Sequence, residues 1–228
     1  MDWFQAVDIY CERTSAAFWA EPVNAASNLS FVAAALWAAA TARARGLTSP
    51  VLWLLIAMAG LIGLGSFLFH SFATRWAELA DTLPIWTFVA AFVLTAMHHI
   101  GDLPPRRVAR IGAIIAIAAA AAIYLASNEG ANPAPDPLNG SGQNAPALLA
   151  LLIFAALTAY RRHPAAPWII AATGTFGLSL TFRTLDRDLC ASLPIGTHFL
   201  WHLLNGLMIA LLLQMLLRTG RFTPQTHR

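Results

Sequence analysis

Residues 51–72 read VLWLLIAMAGLIGLGSFLFHSF. A single histidine apart, nothing in this run ionises near neutral pH. As a helix rising 1.5 Å per residue it is about 33 Å long, enough to cross a hydrocarbon core of about 30 Å. Inside lipid each backbone N–H and C=O has to be paired within the segment, so such a run forms an α-helix. Six further apolar stretches flank it: Asn24–Ala42, Pro84–His99, Val108–Ala126, Ala145–Tyr160, Ala166–Thr184 and Gly196–Leu217. Pro50 and Pro84 suit the first position of a helix, where no N–H is needed. The composition agrees, with 58% hydrophobic and only 11% charged residues, where a soluble domain carries about a quarter charged. The expected fold is all-α, an integral membrane bundle of seven transmembrane helices.

The arginines orient that bundle. All 14 basic residues are Arg. Ten of them (Arg43, Arg45, Arg106, Arg107, Arg110, Arg161, Arg162, Arg218, Arg221 and Arg228) fall at one end of the expected spans. Arg13, Arg75, Arg183 and Arg187 fall at the other. The positive-inside rule then places the N-terminus outside and the C-terminus in the cytoplasm. Three regions follow: an extramembrane segment 1–23, a transmembrane domain 24–217 and a cytoplasmic tail 218–228. The first segment carries Asp2, Asp8, Glu12 and Glu21, unlike the positive flank of a signal peptide. No continuous basic face exists, so a nucleic-acid partner is excluded. Nothing points to an obligate protein partner. Arg-only basic usage with abundant Ala fits a GC-rich bacterial genome. The expected location is the bacterial inner membrane, with the active site toward the periplasm. Ser127–Pro146 reads as a flexible outer loop.

Ionisable residues inside membrane helices are expensive and mark function. His70, at the outer end of helix two, Asp81, at the outer start of helix three, and His198 and His202, in the first turns of helix seven, all fall in one leaflet. His198 and His202 are four apart and share a helix face. With a third histidine they would make a three-His site of the kind that holds catalytic zinc. Ser66 lies one turn before His70 and can hydrogen-bond a developing oxyanion. Asp81 can move the proton of a water. Asn205 is a candidate partner for His202. Ordinary roles are also open: helix capping for Asp81 ahead of Pro84, close packing for Ser66, and interfacial placement for the histidines. His98 and His99, at the inner end, read as interfacial.

Gly65-Ser66-Phe67-Leu68-Phe69-His70, Asp81 and His198-Phe199-Leu200-Trp201-His202 together resemble the alkaline ceramidase family, part of a superfamily of seven-helix membrane hydrolases that includes the adiponectin receptors. Tyr10-Cys11-Glu12-Arg13-Thr14 and Trp19-Ala20-Glu21-Pro22-Val23-Asn24 resemble that family's N-terminal segment. The resemblance implies zinc on His70, His198 and His202, catalytic roles for Ser66 and Asp81, and hydrolysis of the amide bond of ceramide or a related N-acyl lipid to fatty acid and lipid amine. It also implies a calcium site, for which Asp8, Glu12, Thr14 and Glu21 are the candidate oxygen donors. Glu12 and Glu21 match two of the family's ligand positions. Asp8 is displaced by one, and Thr14 replaces an Asn.

Cys11 and Cys190 both fall on the outer face, where an oxidising compartment favours a disulfide. The resemblance at both positions implies that they pair. Asp186 and Asp188 beside Arg183 and Arg187 read as a local ion-pair cluster with a structural role. Two rivals stand beside the amidase: a seven-helix lipid receptor without turnover, and a bis-His haem protein. The second fails on geometry, since two His at i and i+4 cannot reach opposite faces of one haem. No internal repeat supports a transporter.

Overall fold

The computed structural model describes residues 2–128 and 138–222. It is all-helical: α1 (Pro22–Ser27), α2 (Leu29–Ala44), α3 (Pro50–Phe72), α4 (Arg75–His99), α5 (Pro105–Asn128), α6 (Ala145–Tyr160), α7 (Ala166–Leu185) and α8 (His198–Thr219). Among the described residues there is no strand; Ala6 and Thr74 form an isolated antiparallel bridge. Among the described residues five segments are long and apolar enough to cross a membrane: Pro22–Ala44, Pro50–Phe72, Arg75–His99, Ser141–Tyr160 and His198–Thr219. α7 is long enough but less apolar, diluted by Thr, Ser and Gly residues and by Arg183, whereas α5 opens on Arg106, Arg107 and Arg110 and continues as an apolar run.

Three helix boundaries depart from the sequence expectation. The first apolar run is two helices, broken at Asn28 between α1 and α2. α8 starts at His198 rather than Gly196, because Gly196 is left-handed at φ 62°. α4 starts at Arg75 rather than Pro84. Ala73, left-handed at φ 43°, ends α3, and extended Thr74 starts the next helix at once. Pro84 therefore lies inside α4, and Asp81 sits on its second turn rather than at its cap. Proline has no N–H for the carbonyl four residues back, here that of Ala80. Gly65 of α3 packs against that carbonyl, and a Cβ at Gly65 would overlap its oxygen. The contact brings Ser66 beside Asp81. Of the expected outer loop, residues 129–137 lie outside the described residues. The preceding residues 127–128 belong to α5, and Ser141–Asn144 form a single 3-10 turn running into α6.

The helices pack in a ring in the order α4, α3, α2, α8, α7, α6, with α5 outside against α4. α8 is the most enclosed, and Ile209, Leu212, Leu213, Met215, Leu216 and Leu217 are buried along its second half. Small residues make this possible: Ala34, Ala35, Ala38, Ala39 and Ala42 of α2 are all buried, so α2 can pack closely. α4 and α6 do not pack closely; an apolar cavity of about 350 Å³ opens between them, lined also by Phe176 of α7 and Met208, Ile209 and Leu212 of α8.

The N-terminal segment covers one end of the bundle. It is tied there by Val7 N–H to Ala73 O and by Arg75 N–H to Gln5 O. A Cys11–Cys190 disulfide, with a Cα–Cα distance of 5.2 Å, joins it to the loop before α8. At the other end Arg221 pairs with Asp102 at 2.8 Å and donates its N–H to His99 O.

Candidate functional site

The C-terminal turn of α3 and the N-terminal turns of α4 and α8 meet under the N-terminal segment. Ser66, His70, His198 and His202 are each no more than 3% exposed. The ligand-capable nitrogens of His70, His198 and His202 lie within 4.8 Å of one another. Ser66, Asp81, His198 and His202 line a common cavity of about 410 Å³. That chamber shares Phe31, Ile62, Ile85, Trp86, Asn144 and Trp201 with the apolar cavity between α4 and α6. The polar chamber and the apolar cavity are thus immediate neighbours.

Hydrogen-bond accounting fixes where the histidine lone pairs point. His70 Nδ1 lies 2.6 Å from Glu21 Oε2. Ionised, Glu21 is an acceptor only, so His70 Nδ1 carries the proton and Nε2 is bare. Ser27 donates its one hydroxyl proton to Asn24 O at 2.7 Å, and its oxygen lies 2.7 Å from His202 Nδ1. Ser27 must then accept from His202 Nδ1–H, which leaves His202 Nε2 bare as well. The two bare nitrogens face each other at 3.1 Å. Two facing lone pairs repel unless a cation or an added proton lies between them. Four-coordinate zinc with bonds of about 2.05 Å separates its ligand nitrogens by about 3.3 Å. His198 Nδ1 is buried with no hydrogen-bond partner. A third unsatisfied ring nitrogen favours the cation over the proton, and the donor set fits zinc.

Glu21, Ser27 and Tyr10 are support that the sequence reading missed. The carboxylate of Glu21, a candidate calcium donor by sequence, bonds Arg13 Nε at 2.5 Å and Asn24 Nδ2 at 3.0 Å besides His70. Burial raises its pKa, but hydrogen bonds from His70, Asn24 and Arg13 outweigh that and hold it below the usual carboxylate range. Glu12 accepts from the N–H groups of Val23 and Asn24 at 2.7 and 2.8 Å, satisfying the start of α1. Among the described residues, the one group of three or more His, Cys, Asp and Glu gathered closely enough for a metal is the three histidines. Asp8, Glu12 and Glu21 do not form such a group. Arg13, 8% exposed, puts its cation among these oxygens and also donates to Ser15 O and His70 O. Tyr10 stacks on His198 with ring centroids 3.6 Å apart. Burial raises the pKa of its hydroxyl.

Asp186 is not in an ion pair with Arg183 or Arg187. It is fully buried and accepts from the N–H groups of Thr197 at 2.6 Å, His198 at 2.9 Å and Cys11 at 3.2 Å. A carboxylate on the N-terminal N–H groups of α8 complements the helix dipole and fixes the turn that carries His198. Asn205 does not reach His202; its amide donates to Ser179 Oγ and Trp201 O, both at 2.8 Å. His98 and His99 bond the carbonyls of Leu103 and Arg221 at the far end.

Comparison with curated proteins gives no match. The sequence model of the family described as Ceramidase matches residues 7–227, nearly the whole chain. That span takes in the N-terminal segment, the three histidines with Ser66 and Asp81, and both cysteines, and on it the chain belongs to the ceramidase family.

Proposed function

We propose that this protein is a zinc-dependent lipid amidase, hydrolysing ceramide or a related N-acyl lipid to a fatty acid and a lipid amine. The observation that carries the reading is the convergence of three ring nitrogens beside Ser66 and Asp81, next to an apolar cavity. His70, His198 and His202 would hold the metal. Zinc supplies Lewis acidity there, acidifying water and polarising a carbonyl. Glu21 and Ser27 keep the ligand nitrogens of His70 and His202 deprotonated and aimed inward. Asp81, whose Oδ1 is buried without a partner, takes the proton of the attacking water and delivers it to the leaving amine nitrogen. Ser66 donates its hydroxyl to the carbonyl oxygen as negative charge develops there. Water and amide thus give acid and amine with no other reactant. The hydrocarbon chains lie along Phe88, Phe92, Phe154 and Met208, and the lipid arrives sideways through the seam between α4 and α6.

The same reading takes α2 to α8 as seven membrane crossings. The N-terminal segment and site then lie on the outer side, and the arginine-rich end in the cytoplasm of a bacterial inner membrane. Hydrolysis by the purified chain alone separates this reading from a receptor. Release of fatty acid from an N-acyl lipid, lost in His198→Ala and Asp81→Asn while Asp81→Asn keeps its metal, is the expected result. Full turnover in His198→Ala would overturn it.

A further inference from the structure

Arg183 is the one charged side chain of α7, and it lies two residues from the end of that helix. It is only 8% exposed. Among the described residues no carboxylate lies within ion-pair distance of it, and its Nε has no hydrogen-bond partner. Its side-chain contacts among the described residues are neutral: Nη1 donates to the Tyr10 hydroxyl at 3.1 Å, and the guanidinium lies 5.2 Å from the centroid of the Trp201 ring. Gly140, left-handed at φ 75°, comes so close that a Cβ there would lie 2.8 Å from Nη2. A buried cation is costly unless it is paired, and an intramembrane arginine marks a ligand path. A packing role alone would be met by a neutral side chain at lower cost.

The surroundings point to what would pair with it. Arg183 lines the same 410 Å³ chamber as Asp81, His198 and His202. Exposed Arg187 adds a second cation at that chamber's wall, beside the side-chain amides of Gln143 and Asn144. Of the chamber's two carboxylates, Glu78 is partnered outside by Arg75 at 3.1 Å, and Asp81 is committed to the reacting centre. Arg183 and Arg187 therefore outnumber the carboxylates left free on the chamber's wall. Tyr10 sets the distance: its ring stacks on His198 and its hydroxyl touches Arg183. The guanidinium thus stands one tyrosine side chain from the reacting centre. A carboxylate on the carbon next to the amide nitrogen lies two bonds from the scissile bond, which suits that spacing.

We infer that Arg183 is a specificity residue for a carboxylate on the amine half of the substrate, so that the preferred substrate is an N-acyl amino acid rather than a neutral ceramide. The inference rests on the amidase reading, and a guanidinium fork fits a carboxylate with two parallel hydrogen bonds. Sites built to bond a polar group discriminate strongly against analogues that lack it.

The test compares N-palmitoyl-serine with N-palmitoyl-serinol, which replaces the carboxylate by a neutral hydroxymethyl group. The purified full chain is used, as wild type, Arg183→Gln and Arg183→Lys. The readout is the ratio of kcat/KM for the acid to that for the alcohol, because loss of the Tyr10 contact lowers both. The expected ratio is at least about 10 in the wild type, falls at least about tenfold in Arg183→Gln, and is partly kept in Arg183→Lys. Binding of both lipids is followed in parallel by the fluorescence of Trp201 against a Trp201→Phe control. A wild-type ratio near one, or equal losses on both lipids in Arg183→Gln, would overturn the inference and leave the amidase standing. If neither lipid is cleaved but the acid binds at least about tenfold more tightly through Arg183, the amidase reading fails and the carboxylate site stands.

Discussion

Replacing Glu21 by Gln tests whether the N-terminal segment builds the histidine site or merely covers it. The carboxylate holds three partners at once: His70 Nδ1 at 2.6 Å, Arg13 Nε at 2.5 Å and Asn24 Nδ2 at 3.0 Å. Glutamine keeps one acceptor oxygen and loses the charge. His70 then no longer has an obligatory acceptor, so its tautomer and ring orientation are no longer fixed. Loss of such an outer partner weakens metal binding 10- to 100-fold, or about 1.4 to 2.7 kcal/mol. Arg13 is also left buried without its counter-charge, a change that costs about 3–5 kcal/mol when a buried pair is broken outright. Glu12→Gln is the control. Its carboxylate lies in the same segment and bonds two backbone N–H groups but no histidine. It should lower Tm and leave zinc affinity within about twofold, since it removes helix-start bonds only. Zinc affinity is read by competition with a chromophoric chelator, and folding by thermal unfolding. Equal zinc affinity in Glu21→Gln and wild type, or equal weakening in Glu12→Gln, would refute the reasoning.

Ser27→Ala should weaken zinc by a similar 10- to 100-fold through His202, without touching Arg13 and so with a smaller loss of Tm. Gly65→Ala places a methyl against the backbone of α4; overpacking of this kind costs about 1–3 kcal/mol, and separation of Ser66 from Asp81 should cut turnover more than metal content. Cys190→Ser opens a crosslink between positions 179 apart. Chain entropy sets about 5 kcal/mol as its upper limit, and reductant should lower the Tm of the wild type but not of the variant. The pKa of Glu21 is lowered on folding, so its stabilisation is present above the ordinary carboxylate pKa and is lost as pH falls through the lowered value. The Tm gap between wild type and Glu21→Gln should close on acidification, and a gap that widens would contradict the assignment.

The apolar runs made the bundle legible, because lipid leaves the backbone no alternative to helix. Periodicity and spacing also brought His70, His198, His202, Ser66 and Asp81 to one end before any coordinates. What could not be read were partnerships set by the fold of the N-terminal segment. Glu21, Arg13 and Ser27 have no signature spacing from the histidines they serve, being 49 or more positions away from them. Pro84 misled because a proline that starts a helix and one tolerated inside a helix look alike in sequence. Asp186 was placed with nearby arginines because charge proximity along the chain is visible, whereas the N–H groups of α8 that it accepts from are not.

Metal content of the purified protein, measured by mass spectrometry beside His202→Ala, tests the central claim most directly. The account predicts about one zinc per chain, absent from the folded variant. Metal-free wild-type protein that takes up no added zinc, or full zinc retention in His202→Ala, would contradict it.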